Sequence, residues 1–155
     1  MSPISGAPIR GGLASRWLTP GRPGGTTRGM LGGTGKAGRI LVVDDDAAIA
    51  VMLSRYLVKQ GFEVVTAGDA QEALDIAGRE PLGAVITDLM MPHMDGRELV
   101  RRLRALPALR DLPIIMITAY PSDAAADETL RLGASFFLPK PLDLEALATL
   151  LRFSL

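Results

Sequence analysis

Asp88 ends a short β-branched and apolar run, Ala84-Val85-Ile86-Thr87, and a loop punctuated by Pro92 and Gly96 follows it. A carboxylate at the carboxyl end of a buried strand stands where open α/β sheets place their ligands, and such a group can serve as a nucleophile. Its candidate helpers lie far off in the chain. Asp44, Asp45 and Asp46 follow the apolar run Ile40-Leu41-Val42-Val43, and Thr118 ends Pro113-Ile114-Ile115-Met116-Ile117. Lys140 stands between Pro139 and Pro141 after Ser135-Phe136-Phe137-Leu138. Brought together, Asp44, Asp45 and Asp88 would repel one another, each pair costing about 4 kcal/mol at ~4 Å and an effective dielectric near 20. Lys140 offsets part of that, and a divalent cation offsets more. An all-oxygen site with few ligands suits Mg2+, which keeps several waters and bridges carboxylate to phosphate. The pattern reads as a Mg2+-assisted phosphoryl acceptor, since charge neutralisation carries most of the catalysis of such transfers.

That chemistry depends on elements able to bring the segments together. Ile40–Val43 is wholly apolar, as expected of a strand covered on both faces. Ala47 to Gln60 has helical spacing, with Ile49, Leu53, Tyr56 and Leu57 on one face and Gly61 closing it. Phe62–Ala67 reads as a second strand, and Asp69 with Glu72 resembles a capping box for a helix to about Ala77. The run to Asp88 is the third strand. Arg97–Leu106 is a helix with Leu99, Val100, Leu103 and Leu106 inside, and Pro113–Thr118 is the fourth strand. Ser122 or Asp123 caps a helix ending near Gly133, Ser135–Leu138 is the fifth strand, and Asp143 caps a last helix reaching almost to Leu155. Five strands alternating with five helices predict a doubly wound parallel sheet. Right-handed crossovers leave few topologies, of which the flavodoxin-like order 2-1-3-4-5 is the commonest. In that order, Asp44, Asp45, Asp88, Thr118 and Lys140 converge on one crevice.

Composition narrows the alternatives. The 155 residues include no cysteine, which excludes disulfides, thiolate catalysis and Cys-ligated metals. A single histidine excludes any site that needs two imidazoles. No run approaches the ~18 apolar residues of a membrane span, and no apolar signal core begins the chain. A soluble cytoplasmic protein is the expectation. Residues 1–38 hold eleven of the seventeen glycines, four prolines, five basic residues and no acid. This segment is expected to be a disordered, basic extension, because so little apolar surface cannot offset backbone ordering. Its Gly33-Thr34-Gly35-Lys36-Ala37-Gly38 matches G-x-G-x-x-G but precedes the first strand instead of following one. Met30 is a possible alternative start. Residues 39–155 carry twelve basic and seventeen acidic residues, a net charge of −5 that argues against nonspecific nucleic-acid binding.

Several neighbours have plainer roles. Asp46 and Asp95 are placed to cap helices, and His93 reads as an exposed loop residue without a partner ligand. Met90, Met91 and Met94 read as packing, and Arg97, Arg101, Arg102 and Arg104 as a solvated helix face. The Lys140-Pro141 bond is open to the cis form.

Ile40-Leu41-Val42-Val43-Asp44-Asp45-Asp46, Asp88-Leu89-Met90-Met91-Pro92-His93-Met94-Asp95-Gly96, Thr118-Ala119 and Phe137-Leu138-Pro139-Lys140-Pro141 together resemble the receiver domain of two-component response regulators. The resemblance spans residues 39–155. It implies that Asp88 accepts phosphate from the phosphohistidine of a histidine kinase or phosphotransfer protein. Asp44, Asp45, Asp88 and the Met90 carbonyl would hold Mg2+, and Thr118 and Lys140 would contact the phosphoryl oxygens. Phe137 matches the switch aromatic, and the face of the fourth helix, fifth strand and fifth helix would dock an output partner. With no output domain expected after the last helix, the type implied is a stand-alone regulator of the chemotaxis kind. It would be a phosphoacceptor with intrinsic Mg2+-dependent autophosphorylation and autodephosphorylation, not a dedicated enzyme. Two other readings are open. Val42-Val43-Asp44-x-Asp46 resembles the motif of haloacid-dehalogenase-type phosphohydrolases, with Asp44 as nucleophile, although Ala48 stands where that motif prefers Thr or Val. The other is an interaction module that works without phosphorylation.

Overall fold

Along the first strand, β1 (Arg39–Val43), Ile40 and Val42 pack on one side and Leu41 and Val43 on the other, and all four are buried. A strand with a period of two can be apolar throughout only if both faces are covered. The computed structural model describes residues 38–155 and supplies that cover. After β1 come α1 (Ala47–Lys59), β2 (Val64–Ala67), α2 (Ala70–Arg79), β3 (Leu82–Asp88) and α3 (Gly96–Arg104). A short 3-10 turn (Pro107–Leu109) leads to β4 (Ile114–Thr118), α4 (Asp123–Leu132), β5 (Phe136–Pro139) and α5 (Leu144–Ser154). The strands are all parallel and lie in the order β2-β1-β3-β4-β5, the flavodoxin-like arrangement expected from the sequence. The sheet divides the core in two. Leu53, Leu57, Leu147 and Leu151 of α1 and α5 cover one face, and Leu99, Val100, Leu103 and Ala73 of α3 and α2 cover the other. The expected disorder of the extension lies outside the described residues, except that Gly38 packs tightly against Pro81-Leu82-Gly83.

Each helix starts at the edge where the strands end, and each has a side-chain cap. Asp46, Asp69, Asp95, Ser122 and Asp143 accept hydrogen bonds from backbone N–H groups of the first turns. Such caps satisfy donors that no helical carbonyl can reach. Of the two candidates for α4, Ser122 is the cap. The Glu72 carboxylate accepts from Gly68 N–H at 2.9 Å, one residue earlier than in a strict capping box.

Three local departures have physical causes. The second strand begins at Val64 and not at Phe62, because Phe62 N–H bonds to Leu57 O (3.1 Å) to finish α1. Gly61 makes that ending possible with a φ of 99°, a conformation that a Cβ would oppose. Leu106 is 39% exposed, since α3 stops at Arg104 and Leu106 starts the 3-10 turn. Arg104 does not lie on a solvated face. Its guanidinium donates to the carbonyls of Leu109, Arg110 and Gly133, closing the sheet edge opposite the helix starts.

Candidate acidic site at the strand ends

Because β1, β3, β4 and β5 are neighbours, Asp44, Asp88, Thr118 and Lys140 emerge side by side. Asp44 is buried to 2% exposure, Asp88 and Thr118 are buried, and Asp45 is open to solvent. Carboxylate oxygens of Asp44, Asp45 and Asp88 all lie within 4.8 Å of one another. Lys140 Nζ reaches into the group, donating to Asp88 Oδ2 at 3.3 Å and standing 3.7 Å from Asp44 Oδ2. Lys140 is fixed along the backbone as well. Its N–H bonds to Thr118 O at 2.8 Å, and the Lys140-Pro141 bond is cis.

The two oxygens of Asp44 differ. Oδ1 accepts from Asp46 N–H at 2.9 Å, whereas Oδ2 is buried without a hydrogen-bond partner. Burial pushes the Asp44 carboxyl above its ordinary range. The Asp46 N–H bond works against that shift, the Asp88 charge adds to it, Lys140 opposes it and Asp45 adds a little. A buried, partly charged oxygen facing two other carboxylates is a place for a cation that one lysine does not fill. The residues fit a divalent ion of the Mg2+ class, which prefers oxygen ligands.

The loop after Asp88 is pinned at its base. Gly96 N–H bonds to Leu89 O at 2.8 Å, and a Cβ on Gly96 would come 2.6 Å from Asp88 O and 2.8 Å from Met116 Sδ. Within the loop, Met94 N–H bonds to Pro92 O at 2.7 Å around His93, whose φ is 69°. That three-residue turn leaves His93 exposed and Met91 buried, while Met90, two residues past Asp88, is 53% exposed. The methionines therefore split between packing and surface. Asp95 caps α3 as expected.

Thr118 Oγ1 accepts from Tyr120 N–H at 3.0 Å, a short turn that starts the β4–α4 connection. Phe137 is wholly buried on β5, paired in register with Met116 of β4, in the half of the core that contains Leu99 and Ala126. Along the sheet it stands one residue before the level that Asp88, Ile117 and Leu138 share. Sequence patterning did not single out Tyr120, because a backbone donor leaves no residue-type signal. Nor did it find that Arg97 bridges Asp95 and Glu128, at 3.0 and 2.9 Å, across 31 positions of chain.

The comparisons with known proteins agree with this arrangement. The response regulator receiver domain family matches residues 40–152. A response regulator MprA of Mycolicibacterium vanbaalenii is 44% identical over 114 residues, which cover 74% of this chain and 48% of that protein. The chain thus spans about half the length of the curated relatives it matches. Among solved structures, the chemotaxis protein CheY4 of Vibrio cholerae superposes with a TM-score of 0.72 and 36% identity, covering 76% of this chain and 98% of that one. A CheY-like receiver domain protein of Methanospirillum hungatei gives 0.69 and 32%, covering 74% and 90%. Among the described residues no helix is long and apolar enough to cross a membrane. With its sheet order, its strand-end acids and these matches, the chain belongs to the response regulator receiver family.

Proposed function

We propose that this chain accepts a phosphoryl group on Asp88 from a histidine kinase or phosphotransfer protein and signals through the change that follows. The carrying observation is the position of Lys140 Nζ, 3.3 Å from Asp88 Oδ2 and 3.7 Å from the otherwise unpaired Asp44 Oδ2. One cation between two buried acids limits the repulsion an incoming phosphoryl group would meet. An Asp88 oxygen attacks phosphorus, the P–N bond to the donor imidazole breaks, and the electron pair leaves with the imidazole nitrogen. Lys140 and the Thr118 hydroxyl bond the transferred oxygens, a reading supported by their positions at adjacent strand ends. Mg2+ bound by Asp44, Asp45, Asp88 and the Met90 carbonyl would neutralise charge on the phosphoryl oxygens. Phe137 acts as the buried aromatic that responds to Thr118, and the face of α4, β5 and α5 docks the output partner. The net charge of −5 over residues 39–155 supports a protein partner for this domain over nonspecific contact with nucleic acid. Its autophosphorylation and autodephosphorylation are those of a phosphoacceptor, not of a dedicated enzyme.

Asp46 weighs against the phosphohydrolase reading, which needs it as a general acid. Its Oδ1 caps α1, accepting from Ala48 and Ile49 N–H at 3.0 and 3.4 Å. Incubation with acetyl phosphate and Mg2+ should label the chain, and Asp88→Asn should abolish the label. Turnover of a phosphomonoester that survives Asp88→Asn but stops in Asp44→Asn would establish the hydrolase instead. Trp17 is the only tryptophan and lies in the extension, so NMR is the better reporter of occupancy.

A further inference from the structure

Helix α4 is held differently from its neighbours. Its fully buried residues are Ala126 and Thr129, whereas α2, α3 and α5 each bury four. Thr129 turns its hydroxyl back to Ala125 O and Ala126 O of its own helix, so it adds no tie to the sheet. Leu130 and Leu132 are only partly covered. With so little apolar surface removed from water, packing specifies the placement of α4 weakly. Polar ties to α3 make up the difference. At the carboxyl end, Arg104 Nε and Nη2 donate to Gly133 O at 3.0 and 2.8 Å. At the middle of the helix, Arg97 Nε donates to Glu128 Oε1 at 2.9 Å.

The two ties lead to different places. Arg104 otherwise holds the 3-10 turn, at the edge remote from Asp88. Arg97 leads to the acidic site. Its Nη1 donates to Asp95 Oδ2 at 3.0 Å, and Asp95 ends the loop that begins at Asp88 and is closed by Gly96 N–H on Leu89 O. A planar guanidinium held by carboxylates on both sides tolerates little relative movement, since its bonds weaken steeply off axis.

We propose, building on the reading of Asp88 as a phosphoryl acceptor, that Arg97 is a positioning residue that makes the placement of α4 depend on the state of the acceptor loop. A shift of Asp95 moves the guanidinium, and the guanidinium carries Glu128 and the middle of α4 with it. The Arg104 tie stays in place and serves as the pivot. Coupling of this kind is reciprocal, so cutting the bridge also alters how readily Asp88 holds its phosphoryl group. Exposed ion pairs are individually weak, so the expected change in the switching equilibrium is about two- to fivefold.

The test uses the full chain, isotope-labelled, with acetyl phosphate and Mg2+. Amide shifts of residues 123–132 are followed by NMR while the label on Asp88 is quantified. Arg97→Gln and Glu128→Gln should each reduce the α4 response while Asp88 still takes label. The double variant should lose no more than either single one, because both remove the same bridge, and Arg97→Lys should recover part of the response. Glu128 is half exposed, so its variant keeps the experiment usable if Arg97→Gln folds poorly. An α4 response equal to wild type in both single variants, or additive losses in the double, would overturn the role of Arg97 while leaving Asp88 as acceptor. Absence of label on the wild-type chain would overturn the acceptor reading and this inference with it.

Discussion

Asp44 meets opposing demands on its two oxygens. Oδ1 satisfies Asp46 N–H, so the residue helps to shape the turn into α1, while Oδ2 has no hydrogen-bond partner and Lys140 Nζ stands 3.7 Å away. Burial raises its pKa, so the ionised form costs folding stability above the pKa of the unfolded chain. Acidification through the raised range relieves that cost, and this residue alone favours the metal-free fold at lower pH. Replacing Oδ2 by an amide removes the charge and supplies a donor toward Asp88. Asp44→Asn should therefore stabilise the metal-free chain by about 1–2 kcal/mol, the scale of an unsatisfied buried polar group. Thermal unfolding with and without Mg2+ checks this: the variant should melt higher without the ion and gain less from adding it. That Asp44 belongs at the site follows from its place after an apolar run. The division of labour between its oxygens does not, because it depends on the rotamer and on the Asp46 N–H direction.

At the level of elements, the loop from Leu89 to Asp95 is set less by its own residues than by the close approach at its end. Gly96 admits Asp88 O and Met116 Sδ where a side chain would sit. Gly96→Ala should destabilise the fold by about 1–3 kcal/mol, the usual cost of overpacking, and weaken Mg2+ binding by displacing the loop. Denaturant melts and Mg2+ titration read the two effects separately. A variant with both unchanged would show that the loop yields without consequence. Helix starts were legible, since Asp46, Asp69, Asp95, Ser122 and Asp143 are cap residues and all five cap. Helix and strand limits were less so. Phe62 has strand character by type but is used by the end of α1, and Leu106 has helical spacing beyond the point where α3 stops.

Over the whole molecule, strand order was legible because chirality and short connections leave few ways to lay five parallel strands. Long-range polar bridges were not. Arg97 and Arg104 belong to one run of basic residues, yet one joins two carboxylates and the other three carbonyls. The uneven anchoring of the helices predicts an uneven stability. Amides of the interior strands β1, β3 and β4 should exchange with solvent only through global unfolding, and those of α4 through a smaller local opening. Native-state hydrogen exchange across denaturant concentrations measures both, and equal opening energies for α4 and β3 would contradict it. Among the described residues, the sheet lies between two apolar compartments. Ile40, Leu53 and Leu147 fill one chamber, and Phe137 and Leu99 fill the other. Substitutions beneath α1 and α5 therefore change packing in one chamber, and the chamber that contains Phe137 lies across the sheet from them. Inherited change on one side of the sheet need not be matched on the other.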